Sequence, residues 1–172
     1  MHKTKVLFLI FISIFIGSCE KDDICVDGDT PLLVIEFYDN DTFGTEEEVL
    51  KAVPKLRVGG DRQEFTVNTV ADRTDLEKIE IPLRVNETST TYHFIQNSAD
   101  DATTMAETGN DDVITFNYTN KEVFISRACG FVMNFDELSQ SLTADADNWI
   151  KEIVISETLV ETQAVTHVKI YH

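Results

Sequence analysis

Residues 78–85 read KIEIPLRV, and the alternation in that stretch decides the fold class. Ile79, Ile81, Leu83 and Val85 fall on one side of an extended chain, with Lys78, Glu80, Pro82 and Arg84 on the other. Successive side chains of a strand point to opposite faces, so a period of two with one apolar set marks a half-buried strand. Pro82 has no N–H to give a ladder, which predicts an edge position or a bulge.

The same period recurs outward along the chain. It appears at Leu32–Tyr38, Thr91–Ile95, Val113–Tyr118, Val123–Ala128, Phe131–Phe135, Trp149–Ser156 and Ala164–Tyr171, with weaker candidates at Leu56–Val58 and Phe65–Val70. Turn-forming clusters such as Asp39-Asn40-Asp41 and Gly109-Asn110-Asp111-Asp112 separate them. Helix signals are few. Thr45 and Glu48 have capping-box spacing in a segment that Pro54 ends, and Asp136–Leu142 offers one short turn with Leu138 and Leu142 on a common side. The expectation is an all-β chain: a single antiparallel β-sandwich, loosely immunoglobulin-like, over residues 25–172, with at most one or two short helices. A small barrel is the alternative. No internal repeat or low-complexity tract divides this segment, so one domain is expected.

Composition narrows the function. Apolar residues make up 42% of 172, enough for a packed core and too many for a disordered acidic tail. With 14 Lys and Arg against 31 Asp and Glu, the formal net charge is −17. Phosphate backbones are bound by basic side chains that displace counterions, so no nucleic-acid partner is expected, and electrostatic docking on anionic lipid is disfavoured as well. Three Cys without a C-x-x-C, four His without paired spacing and only 7 Gly leave no zinc signature and no phosphate loop.

The first 25 residues carry an address. His2, Lys3 and Lys5 form a basic start, Val6–Ile16 (VLFLIFISIFI) is an apolar run, and Gly17-Ser18 are small. This is the layout of a secretory signal peptide over residues 1–18. As a helix the run covers roughly 17 Å, about half the hydrocarbon thickness, and is too short for a permanent span. Ile16-Gly17-Ser18-Cys19 resembles a bacterial lipobox, which makes Cys19 the lipidated first residue of the mature chain, held in the membrane by its acyl chains. Glu20-Lys21-Asp22-Asp23 resembles the export signal that carries Bacteroidetes lipoproteins to the outer face of the outer membrane. The plainer reading of residues 19–24 is a solvated polar tether on a protein that faces the periplasm.

Cys25 and Cys129 remain. An exported chain matures in an oxidising compartment, so two leftover thiols read most simply as one disulfide, stapling the post-anchor segment to a central strand. A loop of about 100 residues closed this way is worth about 4–5 kcal/mol at most on the chain-entropy argument. The rival reading is a free, reactive Cys129 beside Arg127.

Six stretches carry a wider resemblance: Cys19–Cys25 (CEKDDIC), Pro31–Asp39 (PLLVIEFYD), Ile79–Leu83 (IEIPL), Ser126–Gly130 (SRACG), Asn148–Ile150 (NWI) and His167–Tyr171 (HVKIY). Together they resemble a family of flavobacterial lipoproteins catalogued only as a domain of unknown function. The resemblance implies that the two cysteines pair. It also implies an accessory role, since such genes often neighbour one for an outer-membrane barrel. It brings no catalytic set.

Other candidate residues weigh less. Asp39-Asn40-Asp41-Thr42-Phe43-Gly44 opens like a calcium loop but fails at Phe43 and Leu50, and a hydrogen-bonded turn accounts for it better. Asp111-Asp112 and Asp145-Ala146-Asp147-Asn148 offer oxygen ligands for a weak calcium site between loops. Alternation places His93 and His167 on solvent-facing sides, with Lys169 and Tyr171 beside the latter. Ser126, Ser139 and Ser141 lack any nucleophile-elbow context. Trp149, Phe116, Phe131 and Phe135 are expected in the core, and Tyr92, Tyr118 and Tyr171 make a thin case for a sugar-stacking face. The expected protein is therefore no enzyme and needs no metal or cofactor. It is a lipid-anchored accessory or interaction module of the outer membrane, partnered by another envelope protein such as a barrel. The alternatives are a surface module that binds glycan or calcium for nutrient capture, and a hydrolase whose carboxylates meet only in the fold.

Overall fold

A computed structural model describes Cys25 and residues 29–63 and 66–172. Residues 1–18 (the expected signal peptide), Cys19 and the Glu20–Asp23 segment lie outside the described residues. Nine strands follow: β1 (Leu33–Tyr38), β2 (Val53–Gly60), β3 (Thr74–Leu76), β4 (Lys78–Ile81), β5 (Ser89–Gln96), β6 (Asn110–Ser126), β7 (Gly130–Leu142), β8 (Glu152–Ile155) and β9 (Val168–Tyr171). They form one sheet in the order β4-β1-β9-β8 and a second in the order β3-β2-β5-β6-β7. Neither closes into a barrel, and the two stack as a sandwich.

The alternation read from the sequence builds the space between them. Leu33, Ile35 and Phe37 of β1, Ile79 and Ile81 of β4, and Val168 and Ile170 of β9 meet Leu56, Val58, Tyr92, Phe94, Ile114, Phe116 and Tyr118 from the other sheet. Each is nearly or fully withdrawn from water, contributing about 1.5–3 kcal/mol per large side chain. Trp149 closes one end of this core, its indole N–H donating to the Phe94 carbonyl at 3.1 Å. The strand around Pro82 behaves as its sequence requires: β4 stops at Ile81 and is an edge strand.

Four expectations need correction. First, the sheets are not wholly antiparallel, because β1 and β9 pair in parallel, Ile35 with Val168 and Phe37 with Ile170. A parallel pair requires a long crossover; here everything between β1 and β9 serves as that connection, which periodicity alone does not reveal. Second, Thr45–Pro54 is not a helix. The chain makes a 3-10 turn at Asn40–Thr42 instead, and Glu48 turns away from Thr45 to accept from Lys169 Nζ and Tyr171 Oη, both at 2.6 Å.

Third, Asp136–Leu142 is strand, part of β7. A spacing of four fits a helix face and a strand face equally well, and Leu138 is buried in the core between the sheets. Fourth, Val113–Tyr118 and Val123–Ala128 belong mainly to one long strand, β6, paired with β7 across a bulge. At that bulge Asn117 faces Ser139 while Thr119 faces Asp136, and the extra residue Glu137 takes a left-handed φ of 55°. In the weak candidate Phe65–Val70, Thr66 makes only an isolated bridge to Gly59.

Candidate functional site

Beyond the bulge the β6–β7 hairpin leaves the sandwich. Alternating burial along β6 ends at Tyr118, and the distal residues Lys121, Glu122, Phe124 and Ile125 are exposed. Its turn, Arg127-Ala128-Cys129, is held by the Ser126 hydroxyl, which accepts the Cys129 N–H at 3.0 Å. Cys129 is bonded to Cys25, with Cα atoms 4.9 Å apart although the two stand 104 positions apart in sequence. The bond therefore joins the segment leading from Cys19 to a hairpin turn, and not to a central strand as the sequence suggested. Thr30 fastens the same segment farther along, its hydroxyl accepting the Met133 N–H at 3.4 Å.

The hairpin carries an aromatic pair that the sequence reading misplaced. Phe131 was expected in the core, yet it is 61% exposed, and its cross-strand partner Phe124 is 57% exposed. The two rings meet edge to face with centroids 5.2 Å apart. Ile125, on the opposite side of the ribbon, is 40% exposed. The reason for the misplacement is local. Val123, Phe124 and Ile125 put apolar groups on both faces of the strand, and among the described residues no second layer reaches this far to cover them. Phe124 and Phe131 thus expose apolar surface as a pair on one face of the hairpin, with Ile125 on the other.

The titratable groups elsewhere are tied into the framework. Glu107 accepts the N–H groups of Ala99, Thr108 and Gly109 at 2.9–3.1 Å and the Ser98 hydroxyl at 2.8 Å, and pairs with Arg57 at 3.0 Å. Burial opposes its charge, but these donors outweigh it and hold the carboxyl at about 2. Arg57 also binds Asp72 in a two-point fork, and Arg73 binds Asp100 likewise. These contacts pin the loops after β2 and β5 together.

The residues singled out by sequence scatter. Asp39 caps the 3-10 turn, accepting from Asp41 N–H at 3.3 Å and Lys51 Nζ at 2.9 Å, as a turn residue would. Asp111 and Asp112, adjacent on β6, diverge to opposite faces. Asp111 reaches His93 Nδ1 at 2.8 Å, while Asp112 is buried and accepts the Ile150 N–H at 2.8 Å, burial pushing its carboxyl upward. Asp145 and Asn148 bond within their own turn. Asn110 Nδ2 does link the two loops, donating to the Asp147 carbonyl at 2.6 Å, but no cluster of three His, Cys, Asp or Glu suited to a metal occurs among the described residues. His93 is part-exposed, as expected.

His167 is a correction: it is fully buried, as is its neighbour on the same face, Tyr171. Phe43 lies edge-on to the Tyr171 ring at 4.8 Å, so the chain after β1 covers this outer face. Tyr92 and Tyr118 are buried too, leaving none of the three tyrosines as a stacking platform. A cleft of about 390 Å³ lies between Pro82–Arg84 and the loop after β2, but Arg84 on its wall is already paired with Glu87 and the Asp61 carbonyl.

A family of unknown function, DUF6452, is matched over residues 55–172, well over half of the chain. The chain belongs to DUF6452. The DUF6452 span starts within β2 and takes in the whole β6–β7 hairpin with Cys129, while β1 and Cys25 precede it. No curated protein and no solved structure matches the chain. Among the described residues no helix is long and apolar enough to cross a membrane.

Proposed function

We propose that this DUF6452 chain is a lipid-anchored, non-catalytic accessory module of the outer membrane that docks to another envelope protein, an outer-membrane barrel. Cys19 is the lipidated residue, Glu20-Lys21-Asp22-Asp23 directs the chain to the cell surface, and the Bacteroidetes lipoprotein pattern of CEKDDIC is the sequence basis for both assignments. The observation that carries the reading is the Cys25–Cys129 bond. It ends the tether on the β6–β7 hairpin, so a pull on the anchor is borne by a covalent staple at the turn. The strongly engaged charged groups, Arg57, Arg73 and Glu107 above all, are spent on loop architecture, which suits a binding scaffold.

The test is crosslinking of the tagged lipoprotein in intact cells, followed by co-purification from detergent-solubilised outer membranes. A stoichiometric membrane-protein partner is the expected result. Recovery of the lipoprotein alone, with crosslinking shown to be efficient, contradicts the accessory role.

A further inference from the structure

We infer that the distal end of the β6–β7 hairpin is a membrane-contact device, with Phe124 and Phe131 resting in the lipid leaflet that holds the anchor. This rests on the reading of Cys19 as the lipidated residue. Five residues lie between Cys19 and Cys25, and the six chain steps span no more than about 3.6 Å each, so the anchor lies within roughly 22 Å of Cys25. Cys25 is bonded to Cys129 in the hairpin turn, two residues from Phe131 and five from Phe124. The exposed aromatic pair is therefore confined to the neighbourhood of the bilayer surface by covalent chemistry alone.

The charge of the hairpin tip itself permits the same contact, although the tether carries Glu20, Asp22, Asp23 and Asp27. An acidic chain is repelled by the phosphates of a lipid surface, so contact is favoured at stretches free of carboxylates. Residues 123–135 contain no Asp or Glu and include Arg127, although the chain holds 31 acids. Phe124, Ile125 and Phe131, the exposed apolar groups of that stretch, sit on a two-stranded ribbon with no second layer among the described residues. Aromatic side chains bury about 5–10 Å deep at the boundary between headgroups and acyl chains without spanning it. The consequence is a second contact beside the lipid anchor, which fixes the tilt of the sandwich and turns the loops at the opposite end of β6 away from the membrane.

The full-length lipidated protein, reconstituted in phosphatidylethanolamine–phosphatidylglycerol vesicles doped with phosphatidylcholine brominated on its acyl chains, tests this. Phe131→Trp places an indole at the tip, Ala102→Trp places one in the loop before β6, and the native Trp149 is buried. The indole at position 131 is expected to shift to shorter wavelength and lose about half of its emission or more, as insertion to that depth requires. The indole at position 102 and the unsubstituted protein are expected to be unaffected. A protein that floats with the vesicles but is unquenched at position 131 overturns the inference alone and leaves the anchor standing; a photocrosslink from that position to a protein in whole envelopes would then reassign the patch to a protein partner. A protein that does not float, with no acyl mass on Cys19, removes the anchor reading and this inference with it.

Discussion

The imidazole Nδ1 of His167 accepts the backbone N–H of Val34 at 3.0 Å, while the His167 N–H donates to the Val34 carbonyl at 3.1 Å. One residue thus satisfies both polar groups of another 133 positions away, and it does so where β9 begins to run parallel to β1. The ring must be neutral with its proton on Nε2, which lies buried without a partner among the described residues.

His167→Ala is therefore expected to cost about 2–4 kcal/mol, from a cavity and an orphaned buried N–H. Burial lowers the folded-state pKa of His167 below the ordinary 6.5. The unfolded chain then takes up the proton first, so the contribution present above about pH 6.5 is lost as pH falls below it. Urea melts at pH 7.5 and pH 5.5 check this: the wild type should lose stability between them, and His167→Ala should lose less.

Glu107 sets a second, more acidic window. Its carboxyl is held at about 2, against 4.5 as an isolated group, so its contribution is complete above about pH 5 and fades as pH falls toward 2. Glu107→Gln should cost about 1–3 kcal/mol at pH 7 and flatten the acid limb of the stability curve. Equal acid sensitivity in the two proteins would contradict the role assigned to this carboxylate.

Removal of the staple should loosen the hairpin before the sandwich. Cys25→Ser with Cys129→Ser is expected to lower stability by up to about 4 kcal/mol on the chain-entropy argument. Hydrogen exchange should accelerate most in the distal halves of β6 and β7, with the strands around Phe94 and Phe116 still protected. Uniform acceleration throughout would contradict a staple that acts at the turn.

The bulge at Glu137 offers a backbone test. A φ of 55° is strained for a residue with a Cβ and relaxed for glycine. Glu137→Gly should stay within about 1 kcal/mol of the wild type despite losing the Thr119 hydroxyl contact, whereas Glu137→Val should cost about 1–2 kcal/mol. Thermal melts of the pair decide the point, since equal losses would mean that side-chain contacts dominate.

Most of the sandwich was legible because the period of two is a local property. Ile79 and Ile81, or Tyr92 and Phe94, declare a buried face without reference to any partner. The failures came where a residue's neighbour is remote. His167 and Tyr171 alternate as solvent-facing residues do; His167 is taken up by its two hydrogen bonds to Val34 of the remote β1, and Tyr171 is covered by Phe43 and Glu48. Phe131 failed in the opposite sense. It follows an apolar pattern, but the sheet that would cover it ends earlier. Cys25 and Cys129 could be paired from the residues alone, whereas the attachment of their bond to a hairpin turn depended on β6 continuing past Tyr118.

The central claim is a lipid anchor at Cys19 leading directly into a stapled hairpin. Intact-mass measurement of the detergent-extracted protein, with and without reductant and alkylation, tests it most directly. The account predicts a chain that begins at Cys19, carries the mass of its acyl groups, and gains two alkylated thiols only after reduction. A chain that begins elsewhere without acyl mass, or two thiols alkylated without reduction, would contradict it.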